Sequence, residues 1–366
     1  MNHRRNWLKQ TGLGIVGIGV MPLERFAIPT TENLIEEKKE SLIRLRSNEN
    51  PYGPSPSARN AMRNSINVSN RYDWDLLDEL LEKIAQKHHL TTQNILLGAG
   101  SSEILNLVAL YCSKASGNLI IAETTFDYWT VTAEQAGLKK IAIPLAADKK
   151  HDLSAMLKAI DADTKLIYIC NPNNPTGTIC ASETLLNFIN EATKRTKVLV
   201  DEAYLDFTDQ PSVASLVTEN RNLIIAKTFS KIYGLAGSRI GYAIAHPDTI
   251  TAISQLQFSA NGSLSVVSAA GALASLKDDK FVTDTMAFNH EVRQYTMEQL
   301  EHLKIRCIAS HTNFVYFSLE NYNKDFFEQL KKNHILGTKI YEENGKWSRI
   351  TIGTMAEMKQ FIKALA

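Results

Sequence analysis

Short apolar runs that end in polar or glycine-rich loops recur along this chain, and this alternation constrains its fold more than any other feature. Segments with apolar residues at helical spacing precede the first run, at Leu76–His88, or lie between later runs, at Leu153–Ile160 and Glu183–Ala192. We interpret the runs as buried strands at Ile95–Leu97, Asn118–Ala122, Ile141–Pro144, Leu166–Cys170, Val198–Val200, Leu223–Ala226 and Ile240–Ala245. Strands that alternate with helices predict an α/β fold with a mostly parallel sheet, covered by helices on both faces.

The length and the charge of the chain narrow the prediction further. A chain of 366 residues is long for one domain. We expect a large domain over residues 57–258 and a smaller α+β domain over residues 259–366, completed by an N-terminal arm at residues 30–56. The 40 basic and 39 acidic residues favour neither nucleic acid nor an anionic membrane, so we expect a small-molecule partner. The four cysteines are too far apart for a zinc pattern, and no metal is expected.

One lysine, Lys231, lies between two of the predicted buried strands, in the stretch TFSKIYGLAGSR at Thr228–Arg239. A buried amine loses its charge easily, which suits a Schiff-base nucleophile. The hydroxyls of Thr228 and Ser230 and the guanidinium of Arg239 suit a phosphate group, through charge-assisted hydrogen bonds. A solvated loop lysine is the commoner explanation for a lysine considered alone, so the remaining motifs decide between the two.

Five further motifs accompany this stretch in a fixed order. They are NENPYGPSP at Asn48–Pro56, GAGSSE at Gly98–Glu103, NPNNPTG at Asn171–Gly177, DEAY at Asp201–Tyr204 and RITIG at Arg349–Gly353. With these motifs the chain resembles, from about Ile43 to its end, the fold-type-I pyridoxal-phosphate (PLP) enzymes, and most closely the histidinol-phosphate aminotransferase family. The resemblance implies the PLP-dependent transferase fold type I. It also implies PLP as cofactor, and transfer of an amino group from an amino acid or a histidinol phosphate-like amine to a 2-oxo acid.

The resemblance also implies a set of cofactor contacts. Lys231 would hold PLP as a Schiff base, and Asp201 would keep the pyridine nitrogen protonated, so that the ring can accept electrons. Asn174 and Tyr204 would reach the phenolic oxygen of the cofactor, and Phe126 would stack on its ring. The phosphate would lie at a glycine-rich turn that opens a helix, because free amides there bind anions. The predicted phosphate residues are Gly100, Ser101, Ser102, Thr228, Ser230 and Arg239.

Substrate and subunit contacts follow from the same resemblance. Arg349 would bind the substrate's anionic group in plane, and the segment that carries Asn50 and Tyr52 would border the substrate pocket. In the family a tyrosine corresponding to Tyr72 reaches the cofactor phosphate of the neighbouring subunit, which implies a homodimer. Here Asp73 replaces the proline that usually follows it.

Two departures and one addition distinguish this chain from the family pattern. The arginine of the family's GVxVR segment is absent from HILGTKIY at His334–Tyr341, where Lys339 is a candidate replacement, and the usual proline near Phe126 is replaced by Thr124. The missing arginine weakens histidinol phosphate as the donor. Residues 1–29 contain Arg4 and Arg5, an aromatic residue and a short apolar stretch, which resemble a twin-arginine signal. We therefore expect export to the periplasm, which further weakens a role in cytosolic histidine biosynthesis; a disordered basic tail on a cytoplasmic enzyme is the alternative.

Two other functions remain open at this point. A PLP-dependent decarboxylase, deaminase or oxidase would use the same cofactor residues. A PLP-binding protein without turnover belongs to a different class, and the presence of both Lys231 and Asp201 argues against it, because a pure binder needs no electron sink.

Overall fold

The computed structural model describes residues 42–262 and 264–366. The predicted twin-arginine signal and residues 30–41 of the predicted arm lie outside the described residues. No helix in the described ranges is long and apolar enough to cross a membrane.

A seven-stranded sheet forms the centre of the larger part of the molecule. Its strands are β2 (Ile95–Gly98), β3 (Gly117–Ala122), β4 (Leu138–Ile143), β5 (Thr164–Cys170), β6 (Lys197–Asp201), β7 (Leu223–Thr228) and β8 (Gly241–Ala245). They lie in the order β2-β8-β7-β6-β5-β3-β4, and β8 is antiparallel to both of its neighbours while the other pairs are parallel. The predicted mostly parallel α/β sheet is confirmed.

Helices cover both faces of this sheet. They are α1 (Pro56–Ser65), α2 (Trp74–Lys87), α3 (Ser101–Cys112), α4 (Thr130–Gln135), α5 (Leu153–Lys158), α6 (Ser182–Ala192), α7 (Pro247–Ser254) and α8 (Val266–Leu276). Side chains alternate along each strand, so Ile167 and Ile169 of β5 pack with α2, α5, α6 and α8, while Leu166 and Tyr168 pack with α3, α4 and α7. Because both faces are buried, the strands are apolar throughout.

The C-terminal part is a smaller α+β unit. Strands β9 (Cys307–Ile308), β10 (Phe314–Ser318), β12 (Ile340–Glu342) and β13 (Trp347–Thr351) form an antiparallel sheet in the order β12-β13-β10-β9. The short strand β1 (Ile43–Arg44) pairs in parallel with β11 (Ile335–Leu336), which ties the N-terminal segment to this unit. The helices of the unit are α9 (Asp279–His302), α10 (Phe326–Lys332) and α11 (Met355–Leu365).

The boundary between the two parts was predicted at Phe258. Helix α8 lies beyond that residue, yet its Ala269, Leu273 and Leu276 belong to the apolar core of the large sheet. This packing favours a later boundary, and the division into two domains itself stays a prediction.

The fold brings polar residues together at one edge of the large sheet. Strands β5, β6 and β7 are adjacent and parallel, so their carboxyl ends meet at the same edge. Asp201, the last residue of β6, is paired in register with Cys170 on one side and with Ala226 on the other. Ligands of open α/β sheets bind at this edge, and the candidate site is located there.

Candidate active site

A cavity of about 220 Å³, here called the inner cavity, lies at the carboxyl edge of the large sheet. The segments that follow β2, β3, β5, β6 and β7 each contribute to its walls. Of the residues predicted to hold a cofactor, those that line it are Ser101, Ser102, Phe126, Asn174, Asp201, Tyr204, Thr228, Ser230, Lys231 and Arg239. The structure therefore brings together groups that are up to 138 residues apart in the sequence, from Ser101 to Arg239.

Asp201 is a buried carboxylate at this cavity, with 2% of its surface exposed. The hydroxyl of Tyr168 donates to its Oδ2 at 2.9 Å, and the backbone N–H of Ala203 donates to its Oδ1 at 3.0 Å. Burial raises the pKa of Asp201 to about 6, and these two hydrogen bonds act in the opposite direction. The carboxylate is thus fixed in orientation and disposed to pair with a buried cation.

Lys231 follows β7 and places its amine between the inner cavity and a second, larger one. Its Nζ donates to the carbonyl oxygen of Ser47 at 3.2 Å and lies 5.5 Å from the ring centroid of Tyr204. Burial and, next, the positive charge of Arg349 lower the pKa of Lys231 to about 8. An amine with such a pKa is uncharged in roughly a tenth of the molecules at pH 7, far more often than an ordinary lysine, and the uncharged form is the nucleophile.

Tyr204 is the centre of a hydrogen-bond chain that leads away from Lys231. Its hydroxyl oxygen accepts from Asn48 Nδ2 at 2.9 Å and from Asn174 Nδ2 at 3.4 Å. Arg349 Nη1 in turn donates to Asn174 Oδ1. Burial raises the pKa of Tyr204 well above its ordinary value, so the phenol keeps its proton. Because the oxygen already accepts two hydrogen bonds, the O–H of Tyr204 is the group it can offer to a ligand.

The predicted phosphate residues form a compact cup. Thr228 Oγ1 donates to Ser230 Oγ at 2.9 Å, and Arg239 Nη1 donates to the same oxygen at 3.4 Å. Gly100 precedes helix α3 with a φ of +82°, and a Cβ atom there would collide with the Arg239 guanidinium. No side chain caps the start of α3, so its first amides, beginning at Ser101, are available to an anion.

PLP matches this donor set. The cup offers amides, hydroxyls and a guanidinium to a phosphate, and the missing side chain at Gly100 lets the Arg239 guanidinium lie against the turn. The same cavity holds the carboxylate of Asp201, which suits the pyridine nitrogen of PLP, and the amine of Lys231, whose lowered pKa suits reaction with the aldehyde. Phe126 supplies an aromatic wall.

A second cavity of about 540 Å³, here called the outer cavity, adjoins the first. Both are lined by Ser47, Phe126, Asn174, Tyr204 and Lys231. The remaining walls come largely from the smaller unit and include Arg349, Lys339 and Tyr341, together with Arg46, Asn48, Asp127 and Tyr128. Lys231 is therefore accessible from both cavities.

Arg349 is a buried cation on the wall of the outer cavity, with 6% of its surface exposed. Its guanidinium lies 5.2 Å from the ring centroids of both Phe314 and Tyr341, and Nη2 donates to the carbonyl oxygen of Arg46 at 2.8 Å. Its Nε is buried and has no acceptor among the described residues. Lys339 lies 5.8 Å from the ring of Tyr128 and 5.3 Å from that of Tyr341.

Three predicted residues lie away from both cavities. Tyr72 is 85% exposed and stacks on Trp74, with 5.9 Å between ring centroids. Asn50 donates through Nδ2 to the carbonyl oxygen of Ile232 at 2.8 Å, which fixes the loop next to Lys231. Tyr52 lies in a small separate pocket, 5.5 Å from the ring of Phe288. Within this chain none of the three lines the site, and their binding roles stay predictions.

Several residues of the site were not singled out from the sequence. Asn48 begins the NENPYGPSP segment and could have been found there, since the segment itself was predicted to border the pocket. Tyr168 lies in the apolar strand β5, where the sequence alone cannot distinguish it from an aromatic residue that only packs in the core. Tyr341 takes part in the outer wall, next to Lys339, at the segment where the family pattern fails.

Comparison with known proteins agrees with this geometry. Residues 40–365 match the family model described as aminotransferase class I and II. A histidinol-phosphate aminotransferase of Moorella thermoacetica is 34% identical, over 89% of this chain and 85% of its own. The corresponding protein of Caldicellulosiruptor saccharolyticus is 35% identical, over 92% and 94% of the two chains. The solved histidinol-phosphate aminotransferase of Sinorhizobium meliloti, in complex with pyridoxal-5'-phosphate, covers 88% of this chain and 89% of its own, with a TM-score of 0.82 and 25% identity.

Proposed function

We propose that this chain, which belongs to the class I and II aminotransferases, takes its amino group from an amine that also carries an anionic group. The chain is a PLP-dependent transaminase, so the proposal concerns the donor. The observation that supports it is the outer cavity, where the amine of Lys231 shares one space with the cations Arg349 and Lys339.

The chemistry of transfer assigns a task to each residue of the inner cavity. PLP, when bound, supplies a ring that accepts electrons from the α-carbon of the substrate. Asp201 would pair with the ring nitrogen, and Asn174 and Tyr204 would bind the phenolic oxygen. Lys231 would hold the aldehyde carbon, and its Nζ is the base available to move a proton at the substrate's α-carbon. A pKa of about 8 allows that amine both to take up and to release a proton near neutral pH.

The charges around the outer cavity favour an anionic donor. Arg349 keeps a buried Nε–H without an acceptor among the described residues, and a carboxylate or phosphate oxygen would satisfy it. Lys339 adds a second positive charge on the same wall. The one carboxylate named on this wall, Asp127, has Lys140 Nζ at 3.4 Å, so its charge is balanced locally.

Histidinol phosphate is the first donor to test, because the relatives bear the name of aminotransferases for this compound. The segment GTKIY stands in place of the family's GVxVR, so Tyr341 takes the place of the family's arginine. Lys339 is the cation within this segment, and we expect it to meet the phosphate of the donor. Amino acids with a second carboxylate are the alternative of the same charge. A homodimer with Tyr72 at the neighbouring site, and export through the twin-arginine signal, remain proposals alongside this one.

A panel of half-reactions tests the donor. Holoenzyme is mixed with histidinol phosphate, histidinol, aspartate, glutamate or phenylalanine without an acceptor, and loss of the visible cofactor band gives the rate. We expect the phosphorylated amine to react far faster than histidinol. Lys339→Met should raise the KM for it about tenfold, the value of one hydrogen bond to a charged group. Lys331→Met, on the exposed side of α10, is the matched control.

Two results would contradict the proposal. Equal rates for histidinol and its phosphate, together with slow reaction of both dicarboxylates, would exclude an anionic donor. Release of carbon dioxide in place of a keto product would assign the cavity to decarboxylation.

A further inference from the structure

An ion pair joins the two parts of the molecule beside the outer cavity. Lys149 Nζ and Glu342 Oε2 are 2.6 Å apart, and their side chains are 20% and 22% exposed. Lys149 lies between β4 and α5 of the large part, whereas Glu342 is the last residue of β12 in the smaller unit. The pair therefore ties β12 to the opposite side of the cavity.

The surroundings of the pair make it stronger than an ordinary surface contact. Both oxygens of Glu342 are used, because the hydroxyl of Tyr316 donates to Oε1 at 2.7 Å. The ammonium of Lys149 lies 5.1 Å from the ring centroid of Trp347, and that ring stacks on Tyr316. Aromatic faces that exclude water raise the attraction between the charges and add a cation–π contact.

Backbone hydrogen bonds fix the position of Lys149 in the large part of the molecule. Lys149 has a φ of +63°, and its N–H donates to the carbonyl oxygen of Ala146 at 2.9 Å. Its own carbonyl oxygen accepts from Thr178 Oγ1 at 2.9 Å, one residue after the NPNNPTG loop that carries Asn174. Lys149 is thus anchored to the same loop that contributes to the cofactor cavity.

Strand β12, which carries Glu342, is less regular than the segment around Lys149. Strand β12 has three residues, and its pairing with β13 shifts register between Ile340 and Glu342. Tyr341 stands at this irregularity and covers the Arg349 guanidinium from 5.2 Å, and Lys339 immediately precedes the strand. So short a strand on the edge of a sheet has few backbone hydrogen bonds to define its position.

We infer that the Lys149–Glu342 pair positions β12, so that Tyr341 and Lys339 form the outer wall of the substrate cavity. Neither Lys149 nor Glu342 lines that cavity, and both act through the strand. The inference rests on the proposed function in one respect, that the outer cavity takes the amino donor.

Two measurements on the holoenzyme test the inference separately from the donor proposal. The first is hydrogen exchange of the 339–343 peptide, read by mass spectrometry without any donor. The second is the split between KM and kcat for the donor that reacts fastest in the panel above. The variants are Lys149→Met, Glu342→Gln, their double variant, and the exchanged pair Lys149→Glu with Glu342→Lys.

In both single variants we expect faster hydrogen exchange at residues 339–343. We also expect the KM for the donor to rise roughly five- to tenfold while kcat stays within about twofold, because one partly buried charge pair is lost. The double variant should be no worse than either single one, and the exchanged pair should recover much of the KM. Lys280→Met is the matched control, since Lys280 and Asp284 are also 2.6 Å apart but are 83% and 44% exposed.

Unchanged exchange in both single variants would overturn the inference, as would an exchanged pair that recovers nothing. Altered exchange with an unchanged KM would instead leave β12 positioned by the pair and place the donor elsewhere, which contradicts the proposed function.

Discussion

Two lysines only four residues apart, Lys227 in β7 and Lys231 just after it, have opposite electrostatic environments. Lys227 Nζ lies 3.1 Å from Glu202 Oε2 and 3.7 Å from Asp206 Oδ1, and its side chain is 3% exposed. Burial acts to lower its pKa, but Asp206 and Glu202 together raise the pKa above the ordinary value. For Lys231, burial and the charge of Arg349 act in the same direction and lower the pKa to about 8.

The difference shows that burial alone does not make a lysine reactive. Burial acts to lower the pKa of both amines, and the charged groups around each amine decide its final pKa. Two carboxylates keep Lys227 charged and inert, and Glu202 is itself held by Ser212 Oγ at 2.6 Å and by the N–H of Val213 at 3.0 Å. The carboxylates of Glu49 and Asp201 also act to raise the pKa of Lys231, but burial and the charge of Arg349 outweigh them, so its neutral form is accessible.

The largest expected effect is on turnover. Lys231→Ala should lower the rate of amino transfer by several powers of ten, because no other amine lines the inner cavity in the described residues. Single-turnover mixing of the purified variant with the best donor measures the loss. A Lys231→Ala protein that turns over at the wild-type rate would end the assignment of this lysine as the nucleophile.

The second effect is on stability and belongs to the other lysine. Lys227→Met should lower the free energy of unfolding by about 3–5 kcal/mol, because Glu202 is left buried beside an apolar side chain. Adding Glu202→Gln should recover part of this loss, since it removes the unpaired charge. Urea denaturation of the two variants measures both changes, with the exposed Lys280→Met as control. A loss below about 0.5 kcal/mol, as at an ordinary surface position, would mean that the pair adds nothing net.

The inner cavity was largely predictable from the sequence, for a physical reason. Asp201, Asn174 and Lys231 each come directly after a buried strand or within a few residues of one, and adjacent parallel strands end at the same edge. Apolar runs indicate the strands, and the polar residues at the ends of these runs indicate the site. The hydroxyl of Tyr168 was not predictable, because its contact with Asp201 depends on the register between β5 and β6.

The outer cavity was predicted much less well. Its wall includes a residue of β12, a strand that is too short to have a recognisable period. The ion pair that we infer to position this strand joins Lys149 and Glu342, which are 193 positions apart. Asn50 and Tyr52 were predicted at the substrate but lie elsewhere in this chain, since the loop that carries them turns toward Ile232 and Phe288. Contacts between distant irregular segments leave no periodic pattern in a sequence.

The smallest effect, a shift in a titration midpoint, tests the comparison most directly. After removal of the cofactor, the protein is alkylated with formaldehyde and cyanoborohydride across a pH series, and each lysine is followed by peptide mass spectrometry. Only the neutral amine reacts, so a lowered pKa moves the rise in labelling to lower pH. Lys231 should therefore label with a midpoint near 8, while Lys227 stays unlabelled throughout.

Arg349→Met then separates the two causes of the Lys231 shift. Removing a nearby positive charge makes the charged amine less unfavourable, so the labelling midpoint should move upward, toward 10.5. It should not reach that value, because burial is the larger cause and persists in the variant. A midpoint that stays at 8 would show that the charge of Arg349 contributes nothing to the shift and that burial is its main cause. The contrast between the two lysines would then depend only on the carboxylates around Lys227, and not on the cation beside Lys231.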